Sequence, residues 1–277
     1  MPWTMALLLS ILTVEAGASQ EPPGKAAHAP AARCPLPRSE FPNRAGDVCM
    51  GMTGRNWTFA FAYPAAAARI PRLDTRLRTQ ERTDEANFQN LIDYARTHPG
   101  EKLHHSQVFR VDADLPALLA LSSLTDEYAG GAHSWYARGA LLWDRRRNRE
   151  TELSDLFTRP GSALAEIAAR LCPVLAQARA REFSRSGGRF NGPCPAAPYA
   201  ASLPATHGRI DRLIVRFDEL DGYAGGTYDV YVPVTARLRA MVRPELRTAF
   251  RASASAARAC NSNLGTCVTA SRPRHPQ

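Results

Sequence analysis

Six cysteines, Cys34, Cys49, Cys172, Cys194, Cys260 and Cys267, constrain this chain more than any other feature, because all of them follow an apolar leader of the kind that directs export. Residues Ala6-Leu7-Leu8-Leu9-Ser10-Ile11-Leu12-Thr13-Val14 form an apolar core too short to span a bilayer. Ala16-Gly17-Ala18 then supplies the small-x-small cleavage site of a secretory signal peptide. The leader holds no Lys or Arg before its apolar core, which leaves an uncleaved anchor or a misassigned start as alternatives to cleavage at Ala18. The expected destination is periplasmic or secreted. An even number of cysteines in an exported chain points to disulfides over metal thiolates or catalytic thiols. Six cysteines allow about 15 connectivities. The short sequence separations favour nearest-neighbour pairing: Cys34 with Cys49, Cys172 with Cys194, Cys260 with Cys267. A zinc site needs close Cys-x-x-Cys or Cys/His pairs, and no two cysteines here have that spacing. No metal and no cofactor are therefore expected.

The chain has 277 residues, 44% of them hydrophobic, enough for one or two ordinary cores. That excludes a disordered tail, a collagen-like repeat and a disulfide miniprotein. The net charge of +9 is carried almost wholly by arginine, Lys25 and Lys102 being the only lysines. Arg145-Arg146-Arg147 lies between apolar stretches like a solvated turn, without interleaved aromatics, so a nucleic-acid partner is not expected. The longest later apolar run, Leu115 to Leu124, falls short of the roughly 18 residues of a membrane span, and no stable span is expected.

The pattern predicts a signal peptide over 1–18, a flexible lead over 19–56 that carries Cys34 and Cys49, a folded domain over 57–250 in two halves (57–157 and 158–250), and an Ala/Ser-rich tail over 251–277 with a small disulfide loop. Trp57, Phe59, Phe61 and Tyr63 alternate with smaller residues as in a half-buried strand. Leu73, Leu77, Phe88, Leu91, Ile92 and Ala95 recur at helical spacing from Pro71 to Thr97, and His98-Pro99-Gly100 ends the run. Val108–Val111, Leu118–Tyr128, Tyr136–Trp143 and Glu152-Leu153 read as strands, the last two joined through Arg146-Arg147-Asn148. Leu164, Ile167, Leu171, Val174 and Leu175 mark a second helix from about Ser162, kinked at Pro173. Leu213–Phe217 and Thr227–Val232 are strands again, and Val234–Val242 a short helix. Helices and strands fall into blocks with hairpin-length turns. The class is α+β: a mostly antiparallel sheet, a long N-terminal amphipathic helix, and the second helix packed on it.

One short repeat stands out. Tyr128-Ala129-Gly130-Gly131 recurs as Tyr223-Ala224-Gly225-Gly226, and a tyrosine follows each copy, Tyr136 and Tyr231. Paired glycines at a strand end permit positive φ, a bulge or close approach of a ligand. The plain reading is two similar strand corners. The functional reading is a ledge on which Tyr128, His133, Trp135 and Tyr136 present rings to a sugar or a protein. Acid/base chemistry by His133 with Asp126 and Glu127 meets the objection that neighbours on a strand alternate faces. His104 and His105, being adjacent, likewise point apart and make a poor shared metal site. No Gly-x-Ser-x-Gly elbow, phosphate loop or His-Glu-x-x-His helix occurs.

The segment Glu127-Tyr128-Ala129-Gly130-Gly131-Ala132-His133, the strand Ala140-Leu141-Leu142-Trp143-Asp144, and Glu152-Leu153-Ser154-Asp155-Leu156-Phe157 together resemble the RsiV-like family of extracytoplasmic domains. The family is named for the lysozyme-sensing anti-sigma factor RsiV, and the module also precedes some peptidoglycan deacetylases of the PdaC type. Phe217-Asp218 to Tyr223-Ala224-Gly225-Gly226-Thr227-Tyr228-Asp229-Val230, through Pro233, looks like the family's second half. The resemblance runs from about Trp57 to Phe250. It implies a noncatalytic envelope-binding module whose partner is a lysozyme-like muramidase or a peptidoglycan glycan. The candidate binding residues are those of the repeat and the ledge: Tyr128, Gly130, Gly131, His133, Trp135, Tyr136, Tyr223, Gly225 and Gly226. With neither a deacetylase domain nor a sigma-binding segment in the sequence, neither of those activities carries over. An inhibitor of a muramidase is a special form of the same reading. The alternative from another class is a peptidoglycan-acting hydrolase with a site near His133.

Overall fold

A computed structural model of the chain describes residues 34–97, 100–131, 134–185, 194, 201–218, 227–261 and 266–269. Six strands form the first sheet, in spatial order β1 (Val48–Thr53), β2 (Trp57–Tyr63), β3 (Leu103–Asp114), β4 (Leu118–Tyr128), β5 (Trp135–Asp144) and β6 (Arg149–Thr151). All neighbours are antiparallel except β2 and β3, which run parallel because a short helix α1 (Ala65–Ala68) and the 27-residue α2 (Pro71–Thr97) carry the chain back between them. In α2, Leu73, Leu77, Phe88 and Ile92 are buried against Phe59, Phe61, Leu103 and Phe109 of the sheet. Pro71 occupies the first helical position, where the missing N–H is no loss.

A second sheet has the order β13 (Thr266–Thr269), β12 (Arg258–Asn261), β11 (Thr227–Pro233), β10 (Arg212–Asp218) and β7 (Ala201–Ser202), antiparallel wherever strands pair. A small hairpin of β8 (Ala205–Thr206) and β9 (Arg209–Ile210) precedes β10, turning through His207 and Gly208 at positive φ. Helix α3 (Pro160–Arg185) lays Ile167, Leu171, Val174 and Leu175 on Leu213, Val230 and Val232 of this sheet. Helix α4 (Ala236–Met241) is capped by Thr235, whose Oγ1 accepts from the Leu238 amide at 3.0 Å.

The α+β content and the predominance of antiparallel pairing stand, but the relation of the two long helices does not. The second helix packs on its own sheet and not on α2: each helix carries one apolar stripe, and each sheet offers it a wider apolar face than another helix would. Two segments read as irregular also join the sheets. The end of the 19–56 lead is β1, whose Val48, Met50 and Met52 pack on the first core, while Phe41 is buried with Ala62 and Val108. The 251–277 tail supplies β12 and β13, with Ala257, Ala259 and Val268 in the second core. Glu152-Leu153 is not a strand. β6 ends at Thr151, whose hydroxyl donates to Asp155 at 3.3 Å as the chain enters a 3-10 turn over Ser154–Leu156.

The three disulfides join Cys34 to Cys49, Cys172 to Cys194 and Cys260 to Cys267, which places the chain outside the cytoplasm. Among the described residues no helix is long and apolar enough to cross a membrane. A polar tie links the sheets. The register shift in β3 leaves Asp112 as an extra residue, and its carboxylate accepts from Ser122 of β4 at 2.9 Å and from Ser202 of β7. Burial pushes the Asp112 carboxyl above its ordinary pKa, against the opposing hydrogen bonds from Ser202 and Ser122 and the charge of Arg216.

Candidate functional site

Those of the singled-out residues that the structure describes gather where β3 begins, β4 ends and β5 begins. Register sets their faces: His105 lies opposite Glu127, which lies opposite Trp135, and Ser106 lies opposite Asp126, which lies opposite Tyr136. Strand alternation therefore puts Trp135, Glu127 and His105 on the face covered by α2, and Tyr136, Asp126 and His104 on the other. The two carboxylates point apart, each toward its own imidazole. His104 Nε2 is 2.9 Å from Asp126 Oδ1, and His105 Nδ1 is 2.7 Å from Glu127 Oε2.

The two pairs differ in depth. His105 is buried, its ring stacked on Phe59 at 5.5 Å and against Phe88 of α2 at 6.0 Å. With Nδ1 donating to Glu127, its Nε2 is buried without a partner among the described residues. Asp84 of α2 faces the same place. Burial raises its pKa, offset in part by the charges of His105 and Arg76, while Glu127 adds to the rise. His104 is half-exposed and stacks on Tyr128 at 6.1 Å.

The corner itself is built by glycine. Gly130 and Gly131 have φ of +95° and +103°, and the Tyr128 hydroxyl donates to the Gly131 carbonyl at 2.7 Å. A Cβ on Gly130 would stand 2.2 Å from Glu101 Oε2, which is buried against it. Beyond the corner Trp135 is 60% exposed and Tyr136 54%, one ring over each face of the sheet end. Tyr128, Gly130, Gly131, Trp135 and Tyr136 thus share one site; His133, Tyr223, Gly225 and Gly226 lie outside the described residues. Among the described residues no three His, Cys, Asp or Glu side chains are grouped as metal ligands. The arrangement offers exposed aromatic rings to a partner, and two of its carboxylates, Asp126 and Glu127, are each paired with an imidazole.

Sequence reading missed the two His–carboxylate pairs. The strand expected from Val108 begins at Leu103, and it is this extension, paired with the end of β4, that brings each histidine to a carboxylate; the His-His opposite Asp-Glu pattern, aligned across a hairpin, is the available signal.

No family model and no curated protein matches the chain. Among solved structures it is similar to the crystal structure of a DUF3298 family protein from Pseudomonas aeruginosa, with 17% identity and a TM-score of 0.46, covering 75% of this chain and 97% of that one. It is also similar to the crystal structure of a DUF3298 family member from Bacteroides fragilis, with 15% identity and a TM-score of 0.45, covering 72% of this chain and 93% of that one.

Proposed function

We propose that this chain is a noncatalytic binding protein of the bacterial envelope, working in the periplasm, and that the ledge at Tyr128–Tyr136 takes a lysozyme-like muramidase or a peptidoglycan glycan. The observation that carries this reading is the pair of exposed rings, Trp135 and Tyr136, standing next to a glycine corner at a sheet end. Large aromatic side chains left in water stabilise the fold little and bind partners well, by stacking on sugars or filling a partner's pocket. The signal-like leader and the disulfides support the compartment.

The test pairs binding with thermal melts. Trp135→Ala and Tyr136→Ala should each weaken binding to a lysozyme-type muramidase or to purified muropeptides at least about ten-fold while leaving Tm nearly unchanged. His133→Ala belongs in the same series. Unchanged binding together with a clear loss of stability in these variants would make the ledge architecture only. Turnover of muropeptides that Asp126→Asn or His133→Ala abolishes would establish the hydrolase reading instead.

A further inference from the structure

The second sheet turns one face toward α3 and the other away, and the outward face is polar. Register places Ile214, Tyr231, Arg258 and Thr269 in one row across β10, β11, β12 and β13, with Arg212 and Pro233 in the next row of β10 and β11. Around Tyr231 this face sinks into a pocket of about 290 Å³, walled by Ser253, Ser255 and Ala256 of the segment after the 3-10 turn at Arg247–Ala249. That wall is anchored, since the Ser253 amide donates to the Val234 carbonyl at 2.7 Å and the Ser253 and Ser255 hydroxyls are 3.0 Å apart.

The lining's charge is unbalanced. Its one carboxylate, Asp211, is fully engaged: Arg212 Nε donates to one oxygen at 2.9 Å and Arg251 to the other at 2.8 Å. Burial pushes the Asp211 pKa up, but these hydrogen bonds outweigh it and hold the group below the ordinary carboxylate range, so it stays ionised and committed to its two arginines. The terminal nitrogens of Arg212 then have no acceptor among the described residues. Arg258 has no carboxylate partner there either; its guanidinium sits over the Tyr231 ring, 4.4 Å from the centroid. Two guanidinium groups, the hydroxyls of Ser253, Ser255 and Thr269, and an aromatic wall therefore converge on a cavity at the small end of ligand-site sizes.

We propose that this pocket binds an anionic monosaccharide, with its carboxylate or phosphate group on Arg212 and Arg258 and its hydroxyls on the serine and threonine side chains. Guanidinium groups present paired N–H donors that match the two oxygens of a carboxylate or phosphate, and hydroxyls act as donor or acceptor to ring hydroxyls. The Cys260–Cys267 disulfide holds the β12–β13 hairpin in the adjoining row and so fixes the strands that carry Arg258 and Thr269. This site stands on different elements from the ledge and does not depend on the ledge's function.

Titration of the full chain, followed by amide chemical shifts, tests it with four probes: glucuronate, glucose 6-phosphate, glucose and inorganic phosphate. The expected result is saturable binding of one or both charged sugars, with shifts at residues 253–258 and at Thr269, and no binding of glucose. The better charged sugar identifies carboxylate or phosphate as the preferred group. Arg258→Gln should weaken that binding about ten-fold or more, and Thr269→Val measurably, whereas Arg82→Gln on the exposed side of α2 should leave it unchanged. Binding by neither charged sugar, binding untouched by Arg258→Gln in a folded variant, or inorganic phosphate binding as tightly as the charged sugars would each overturn the proposal.

Discussion

At the scale of single residues, conformational strain and buried charge make the sharpest predictions. Gly131 has open space around its Cα but a φ of +103°, so Gly131→Val tests backbone strain without a steric clash. A β-branched residue there should destabilise by about 1–3 kcal/mol, read from urea midpoints, whatever the ledge binds. An unchanged midpoint would mean the corner relaxes freely. Asp112 makes the opposite kind of test. Its pKa is raised in the fold relative to an unfolded value near about 3.9. The folded chain thus holds that proton more tightly than the unfolded one, and the stability contributed by this residue rises as pH falls through the folded pKa toward the unfolded one. From pH 7 to pH 4, unmodified protein should therefore gain stability relative to Asp112→Asn. A gap that is constant or moves the other way contradicts the assignment. Trp135 and Tyr136 were legible from sequence as aromatics beside a glycine pair, but the imidazole partners of Asp126 and Glu127 were not, because those contacts cross between strands 22 positions apart.

Elements were legible where one periodicity ran unbroken. Leu73, Leu77, Phe88 and Ile92 mark α2, and Leu118–Tyr128 matches β4 end to end. Signals failed where small or polar side chains form strands only because a neighbour is there. The first part of β3, His104-His105-Ser106-Gln107, has polar residues on both faces, and the Ala- and Ser-rich approach to β12 has little intrinsic strand preference. Cysteine spacing gave the staples correctly. The Cys172–Cys194 bond closes a separation of 22 residues and ties the chain beyond α3 back to that helix, for which the chain-entropy treatment gives about 3 kcal/mol. Replacing both cysteines by alanine should lower the unfolding free energy by roughly that amount, and non-reducing peptide mapping of the exported protein should recover the 172–194 pair. Two free thiols, or an unaltered denaturation midpoint, would remove this bond from the account of stability.

For the molecule as a whole, the described residues build two large cores, one on each sheet, where the sequence pattern allowed one or two and a single mostly antiparallel sheet. Leu77 is buried in the first and Ile167 in the second, among different neighbours. Each change to alanine should destabilise by about 2–5 kcal/mol, and the double variant should match their sum within about 0.5 kcal/mol. A larger discrepancy would show that the cores rise and fall as one. The strand order of the first sheet has a kinetic corollary: it repeats the order of the chain, β1 through β6. A polypeptide threaded through a translocase N-terminus first would deliver each strand beside a partner that has already emerged, with only the β2–β3 pairing delayed while α2 passes. Such nearest-in-sequence pairing keeps the search short, so the first layer can zip up during export, before any strand of the second has reached the far side.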